Sequence, residues 1–478
     1  MLNRQLDTRQ DFWQPQSGGE IAAIDAYTGK RWTYSELHKD ASGLRPLLRR
    51  EGRKGLGLLF VRNSYECLVA YVAALKAGAA VILSDGALPT SFRTSLLEIY
   101  RPDWIFSSQH ETALAGYRQI PSGPSGLFER ETAEGGDINP DLALLLSTSG
   151  STGSPKLVRL TYKNIAANAE SILQCLEITH RERAITTLPM SYSYGLSVIN
   201  SHLLARGTIV FTGESVLRRE FWEAVDNYQC TSFAGVPYTY RLLLETGLLK
   251  SRGSSLSTIT QAGGKLDNSY IRQLYEISIR RGWKLFLMYG QTEATARISC
   301  LPFEQVIQKL GSVGVAVPGG SIAIDQHSGE LIYSGPNVML GYAISREDLA
   351  KGDELGGVLR TGDTGRLDSN GYLYITGRLK RFLKVFGKRF NLDEVERILS
   401  NILQASVGCL GHDDHLVVVT ETGRDRSAVT EVVCATFDLP RAVVRVHTIG
   451  ALPRNSNGKL DYPSLAAVDT ELSRASVS

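Results

Sequence analysis

Three observations place this 478-residue chain in the α/β class. The expected architecture is a large N-terminal α/β domain carrying a β-rich subdomain, followed by a small C-terminal α+β domain. Apolar runs of strand length alternate with segments of helix length through the N-terminal part. Short turn-bounded β-like runs follow near residues 329–375. A helix start and two more strand-like runs then close the chain.

In chain order, the runs Leu58 to Val61 and Ala80 to Leu83 flank a helical segment from Ser64 to Ala77. Further runs at Leu142 to Leu146 and Thr208 to Phe211 complete a strand set that predicts a parallel sheet. Gly329-Glu330-Leu331-Ile332-Tyr333-Ser334-Gly335-Pro336 and Gly371-Tyr372-Leu373-Tyr374-Ile375 form the β-rich part. Asn391-Leu392-Asp393-Glu394 opens a helix, with Asn391 as N-cap and a glutamate three residues on. Its apolar face is Leu392, Val395, Ile398 and Leu399, and strands follow at Leu416 to Thr420 and Val443 to His447. The expected division is residues 1–379 and 380–478.

The length calls for at least two domains. A net charge of +3 without long blocks of one sign gives no basis for nucleic-acid binding. Six cysteines are scattered without a C-x-x-C pair, which fits a reducing cytoplasm. The N-terminus is polar, and no apolar run approaches a membrane span, so a cytoplasmic, non-exported protein is expected. His412-Asp413-Asp414-His415 reads as a turn before a strand rather than a metal site.

Directly after the run Leu142 to Leu146 stands Ser147-Thr148-Ser149-Gly150-Ser151-Thr152-Gly153-Ser154-Pro155-Lys156. Hydroxyls donate to phosphate oxygens, glycines let backbone N–H groups come close, and Lys156 adds a mobile positive charge. A nucleotide polyphosphate is the expected ligand. The Walker A pattern fails because Lys156 sits between Pro155 and Leu157. A Rossmann fingerprint fails as well, since Gly55-Leu56-Gly57 lacks the third glycine.

This loop closely resembles the phosphate-binding loop of the adenylate-forming superfamily, which includes acyl- and aryl-CoA synthetases, adenylation domains of peptide synthetases, and luciferases. The resemblance extends over nearly the whole chain, with motifs in the family's order. Tyr289-Gly290-Gln291-Thr292-Glu293-Ala294 matches the second nucleotide motif. The resemblance assigns adenine stacking to Tyr289, the α-phosphate to Thr292 and magnesium to Glu293, consistent with Mg²⁺ taking one or two carboxylates plus phosphate oxygens. Gln261-Ala262-Gly263-Gly264-Lys265 resembles the small-residue segment beside the adenine. Asp363, in Arg360-Thr361-Gly362-Asp363, is expected on the ribose hydroxyls, and Arg378 on ribose or phosphate oxygens. Leu452-Pro453-Arg454-Asn455-Ser456-Asn457-Gly458-Lys459 matches the motif whose lysine serves adenylation, the role expected of Lys459.

The resemblance further implies that ATP and Mg²⁺ activate a small carboxylic acid as acyl-AMP. The C-terminal domain then swings about Lys380, and the acyl group passes to a phosphopantetheine thiol reaching past Gly387. CoA is the first expectation, giving an acyl-CoA synthetase, and an acyl carrier protein or another acceptor the second. A non-catalytic nucleotide-binding relative is a third reading, opposed by retention of Lys459, which a binding module does not need. The acid pocket is expected to include Tyr192, Gly195, Ser197, Phe233 and Ala294. Tyr192 stands where many acyl-CoA synthetases have His, and the segment lacks the Asp that pairs with an α-amino group, which disfavours an amino acid. Lys380, Arg381, Lys384, Lys388 and Arg389 form a basic cluster expected to steer an acidic acceptor.

Overall fold

The computed structural model describes residues 11–14, 18–108, 115–132, 136–147, 156–379, 381–385, 388–412, 415–437, 439–455 and 458–475. The chain divides into two compact units. One comprises Met1–Ser321 with Ser334–Leu359, and the other Ile322–Tyr333 with Arg360–Ser478. This division falls ahead of residue 380 because strand Val358–Leu367 carries the chain out of the first unit and into a sheet with Leu373–Arg378.

Two sheets build the first unit. In spatial order the eight-stranded one runs Gly341–Ala343, Leu157–Thr161, Leu142–Ser147, Ala80–Asp85, Leu56–Val61, Trp104–Ser107, Leu127–Arg130 and Tyr117–Gln119. Its four central strands are parallel, in register Leu83 with Leu146, Leu59 with Leu83 and Leu59 with Phe106. Those strands are buried on both faces, which is why they read as unbroken apolar runs. The nine-stranded sheet is parallel from Lys284–Tyr289 through Thr258–Gln261, Ser232–Gly235, Arg183–Ile185 and Thr208–Phe211 to Ile21–Asp25, with antiparallel strands at both ends.

Helix Tyr65–Lys76 packs on strands of both sheets, and all of its residues except Glu66 and Lys76 are buried. The Ser64 hydroxyl caps it by accepting from the Cys67 N–H. Helix Ser193–Leu204 is likewise buried over most of its length, against strands Arg183–Ile185 and Thr208–Phe211.

The second unit holds the four-stranded sheet Ser321–Ile324, Glu330–Ser334, Val358–Leu367 and Leu373–Arg378, apart from the strand ends that belong to the first unit. It also contains a hairpin of Phe382–Val385 with Lys388–Asn391, and the three-stranded sheet Val407–His412, His415–Glu421 and Val444–Ile449. Strand His415–Glu421 divides its side chains by parity. Leu416 and Val418 join Val395, Leu399 and Val433 on one face, while Val417 and Val419 meet Leu452 and Leu465 on the other. Helix Leu392–Leu403 buries Leu392, Val395, Leu399 and Leu403, with Ile398 half-buried. His412 and His415 pair across a hairpin, and Asp413 and Asp414 lie outside the described residues. Among the described residues no helix is long and apolar enough to cross a membrane.

Candidate active site

Strand Lys284–Tyr289 turns back into Ser299–Leu301, with Tyr289 opposite Ser299, so residues 290–298 form a closed loop at the strand end. Gly290 cannot be replaced here, because a Cβ would lie 1.9 Å from the Ala296 carbonyl oxygen, a backbone atom. Thr295 has φ +61° and ψ −41°, a costly conformation for a β-branched residue. A second segment holds it there. The Thr295 hydroxyl donates to Asn337 O at 2.7 Å, and the Asn337 side-chain amide donates to Ala294 O at 2.9 Å and Arg297 O at 2.8 Å. The Met339 N–H donates to Glu293 O at 2.9 Å.

This clamp fixes the 3₁₀ turn Thr292–Ala294. Thr292 is buried with its hydroxyl 3.1 Å from that of Ser193, and Ala294 is fully buried. The Glu293 carboxylate accepts a hydrogen bond from the Tyr342 phenol at 2.9 Å. On the other side, Lys156 Nζ stands 3.4 Å from the centroid of the Tyr342 ring. Sheet register explains the meeting. Tyr342 is paired with Val158, and Lys156, two residues before Val158, shares its face. Burial, followed by the Glu293 charge, pushes the Tyr342 phenol well above its ordinary value, so it remains a donor at neutral pH.

Glu293 suits one-carboxylate magnesium binding with phosphate oxygens completing the shell. Among the described residues no cluster of three or more His, Cys, Asp or Glu offers a fuller protein cage. Ser147 ends strand Leu142–Ser147, while Thr148, Ser149, Gly150, Ser151, Thr152 and Gly153 lie outside the described residues.

Tyr192, expected in the acid pocket, and Gly263, expected beside the adenine, are neighbours. Gly263 has φ +85°, and a Cβ there would come within 2.8 Å of the Tyr192 hydroxyl. Gly264 follows, its carbonyl accepting from the Gln261 side-chain amide at 2.9 Å. Gly195 presses on backbone, since a Cβ would lie 2.2 Å from Pro189 O. The Ser197 hydroxyl turns to Tyr194 O in its own helix at 2.7 Å, and the Phe233 ring packs against Trp222 and Tyr240.

In the second unit Asp363 and Arg378 are cross-strand partners, with Nε donating to Oδ1 at 2.9 Å. Asp363 is largely buried, and Gly362 before it turns at φ +72°. Lys459 follows Gly458, at φ +72°, in a loop closed by the bridge between Arg454 and Leu460. The Asn455 side chain accepts from the Lys459 N–H at 3.1 Å, and the Arg454 guanidinium donates to Gly458 O at 3.0 Å. Lys380 and Gly387 lie outside the described residues.

One expectation needs correction. Arg381 is no steering charge, for its guanidinium is largely buried, ion-paired to Asp393 and, at 2.8 Å, to Glu396. It also donates to Cys409 O at 2.7 Å and lies 3.9 Å from the Tyr462 ring centroid. Its role is to tie helix Leu392–Leu403 to the sheet. Three residues that reasoning from sequence passed over also matter: Tyr342, Asn337 and Arg297. Tyr342 and Asn337 carry no local signal, whereas Arg297 stands out as a lone charge in Ala294-Thr295-Ala296-Arg297-Ile298.

The fold and this set of motifs define an adenylate-forming enzyme. The AMP-binding enzyme model matches residues 12–343, and the chain belongs to that family. It is 27% identical over 470 residues to the 2-succinylbenzoate–CoA ligase of Bacillus velezensis, covering 91% of this chain and 92% of the relative. It is 26% identical over 528 residues to the peroxisomal OPC-8:0-CoA ligase 1 of Arabidopsis thaliana, covering 99% and 95%. Among solved structures, the o-succinylbenzoate CoA synthetase of Bacillus subtilis with its acyl-adenylate superposes with a TM-score of 0.75 at 24% identity, covering 93% of this chain and 95% of that one. That likeness concerns the fold, and the sequence relatives place the chain among AMP-forming ligases.

Proposed function

We propose that the protein condenses a small carboxylic acid with MgATP and passes the acyl group to CoA. The observation that carries this reading is the run Lys156, Tyr342, Glu293, which sets a cation and a carboxylate on one phenol beside the buried hydroxyl of Thr292. A carboxylate oxygen attacks the α-phosphorus, the bond to the bridging oxygen breaks, and pyrophosphate leaves. Lys156 and Thr292 hold phosphate oxygens, Glu293 holds the magnesium that screens their charge, and Asp363 holds the ribose with Arg378 beside it. Lys459 stabilises charge that grows on the transferring phosphate, an electrostatic role that needs no covalent enzyme intermediate. In the second half-reaction the thiol sulfur attacks the acyl carbon, its proton is lost and AMP departs.

The domain boundary relevant to catalysis is proposed at Lys380, with residues 380–478 rotating between half-reactions and Gly387 leaving room for the thiol. CoA is favoured over a carrier protein because the relatives are named CoA ligases. The acid is a non-amino acid, and an aryl acid agrees with the 2-succinylbenzoate in the name of one relative. A reducing cytoplasm fits six free cysteines. The test is acid-dependent exchange of labelled pyrophosphate into ATP, followed by thioester formation with CoA. Exchange without CoA thioester would move the acceptor elsewhere, and no exchange with any acid would remove the reading.

A further inference from the structure

Arg297 is 2% exposed, and no carboxylate pairs with it among the described residues. Its guanidinium carbon lies 4.1 Å from the Tyr194 ring centroid, its Nε donates to Met288 Sδ at 3.3 Å, and one Nη1 hydrogen reaches Ala296 O at 3.5 Å. Of its five N–H donors, two are used among the described residues, one on a thioether, which is a weak acceptor, and one on a carbonyl at 3.5 Å. The groups that bear on it most are the phenols of Tyr194 and Tyr192 and the thiols of Cys300 and Cys175, and burial is what disfavours its charged form.

The chain treats another buried arginine differently. Arg159 is fully buried in the same unit and is answered by the Glu354 carboxylate and by the carbonyls of Lys351, Leu340 and Gly352. A desolvated charge with a ring face, a thioether and one carbonyl at 3.5 Å for company is not balanced by them, because desolvation outweighs a cation–π contact. Location gives the imbalance a purpose. Arg297 follows the Thr292–Ala294 turn, and both Tyr194 and Met288 belong to the apolar cluster that also takes in Val236, Ala262 and Tyr192. Tyr192, an expected residue of the acid pocket, packs on that cluster, which puts Arg297 behind the expected pocket.

We infer that Arg297 reads a second carboxylate on the acid, remote from the one that is activated. This rests on the proposed function. A guanidinium fork matches a carboxylate with two parallel bonds, and the donors left over at Nη1 and Nη2 supply them. The substrate class is therefore a dicarboxylic acid whose distal carboxylate is buried against Tyr194.

The experiment compares matched pairs, each an aliphatic or aryl dicarboxylic acid and its monoester blocked at the distal carboxyl, by pyrophosphate exchange. The wild-type protein is expected to favour at least one diacid over its monoester by roughly 10- to 10²-fold in kcat/KM, the value of a charged hydrogen bond. Arg297→Met abolishes that ratio mainly through KM while the KM for ATP stays unchanged, and Arg297→Lys keeps part of it. Exchange that proceeds equally with diacid and monoester overturns the inference and leaves the proposed function standing. A diacid preference that survives in both variants overturns it too, making Arg297 structural. No exchange with any acid in the wild-type protein defeats both.

Discussion

The Tyr342 phenol donates to Glu293 at 2.9 Å while its ring carries Lys156 at 3.4 Å, joining residues 49 and 186 positions before it in sequence. One aromatic side chain thereby orients both the cation and the carboxylate proposed to meet the triphosphate and its metal. Tyr342→Phe keeps the ring and loses the hydroxyl, so the Glu293 carboxylate is released while Lys156 keeps its platform. The KM for MgATP and the magnesium requirement should rise roughly 3- to 10-fold, the value of one net hydrogen bond. Tyr342→Leu should cost more. Exchange kinetics across a magnesium series give the answer, and unchanged kinetics in the Phe variant would limit Tyr342 to packing.

Gly290→Ala tests the loop itself. The added methyl meets the backbone carbonyl of Ala296, so the turn must open, at a cost of about 1–3 kcal/mol of stability with loss of nucleotide handling. A lowered melting temperature together with weaker ATP binding is expected. A variant with normal values for both would show that the loop is more plastic than its clamp implies.

Much of the scaffold is legible in the sequence, for a physical reason. Strands 56–61, 80–85 and 142–147 are covered on both faces, so their composition alone betrays them. Strands Arg183–Ile185 and Thr258–Gln261 are short and polar at their ends and give no such signal. The site motifs at 289–294 and 360–363 are contiguous and can be read directly. Tyr342 and Asn337 reach the site only through tertiary pairing of Gly341–Ala343 with Leu157–Thr161 and the clamp on residues 294–297. Arg381 misleads for the same reason, its partners lying on a later helix and at Tyr462.

Stability should weaken in mild acid through His202. This imidazole lies in helix Ser193–Leu204, with Nδ1–H donating to Val198 O at 2.8 Å and Nε2 facing the Ser232 hydroxyl at 3.3 Å. Burial pushes its pKa down to about 4 from 6.5. Between those values the unfolded chain binds the extra proton, so stability is full above about pH 6.5 and falls as pH drops toward 4. The loss is up to about 3 kcal/mol. Urea unfolding at pH 4.5, 5.5 and 7.5 should show a shallower pH slope in His202→Gln than in the wild-type protein. His38, also lowered to about 4, is present in both. Parallel slopes would contradict the assignment.

The hinge assignment separates the half-reactions. Lys380→Pro restricts φ at the proposed pivot, so pyrophosphate exchange should stay within a few-fold of wild type while CoA thioester formation falls at least about 10-fold. Equal losses in both steps would remove the selective role of Lys380.

Adenylation by Lys459 is the central claim, and pyrophosphate exchange into ATP with wild-type protein and Lys459→Ala measures it directly. The wild-type protein should show exchange that requires both magnesium and an acid, and the variant should lose roughly 10²–10³ of that rate while still binding ATP. Equal exchange in the two proteins would contradict the account.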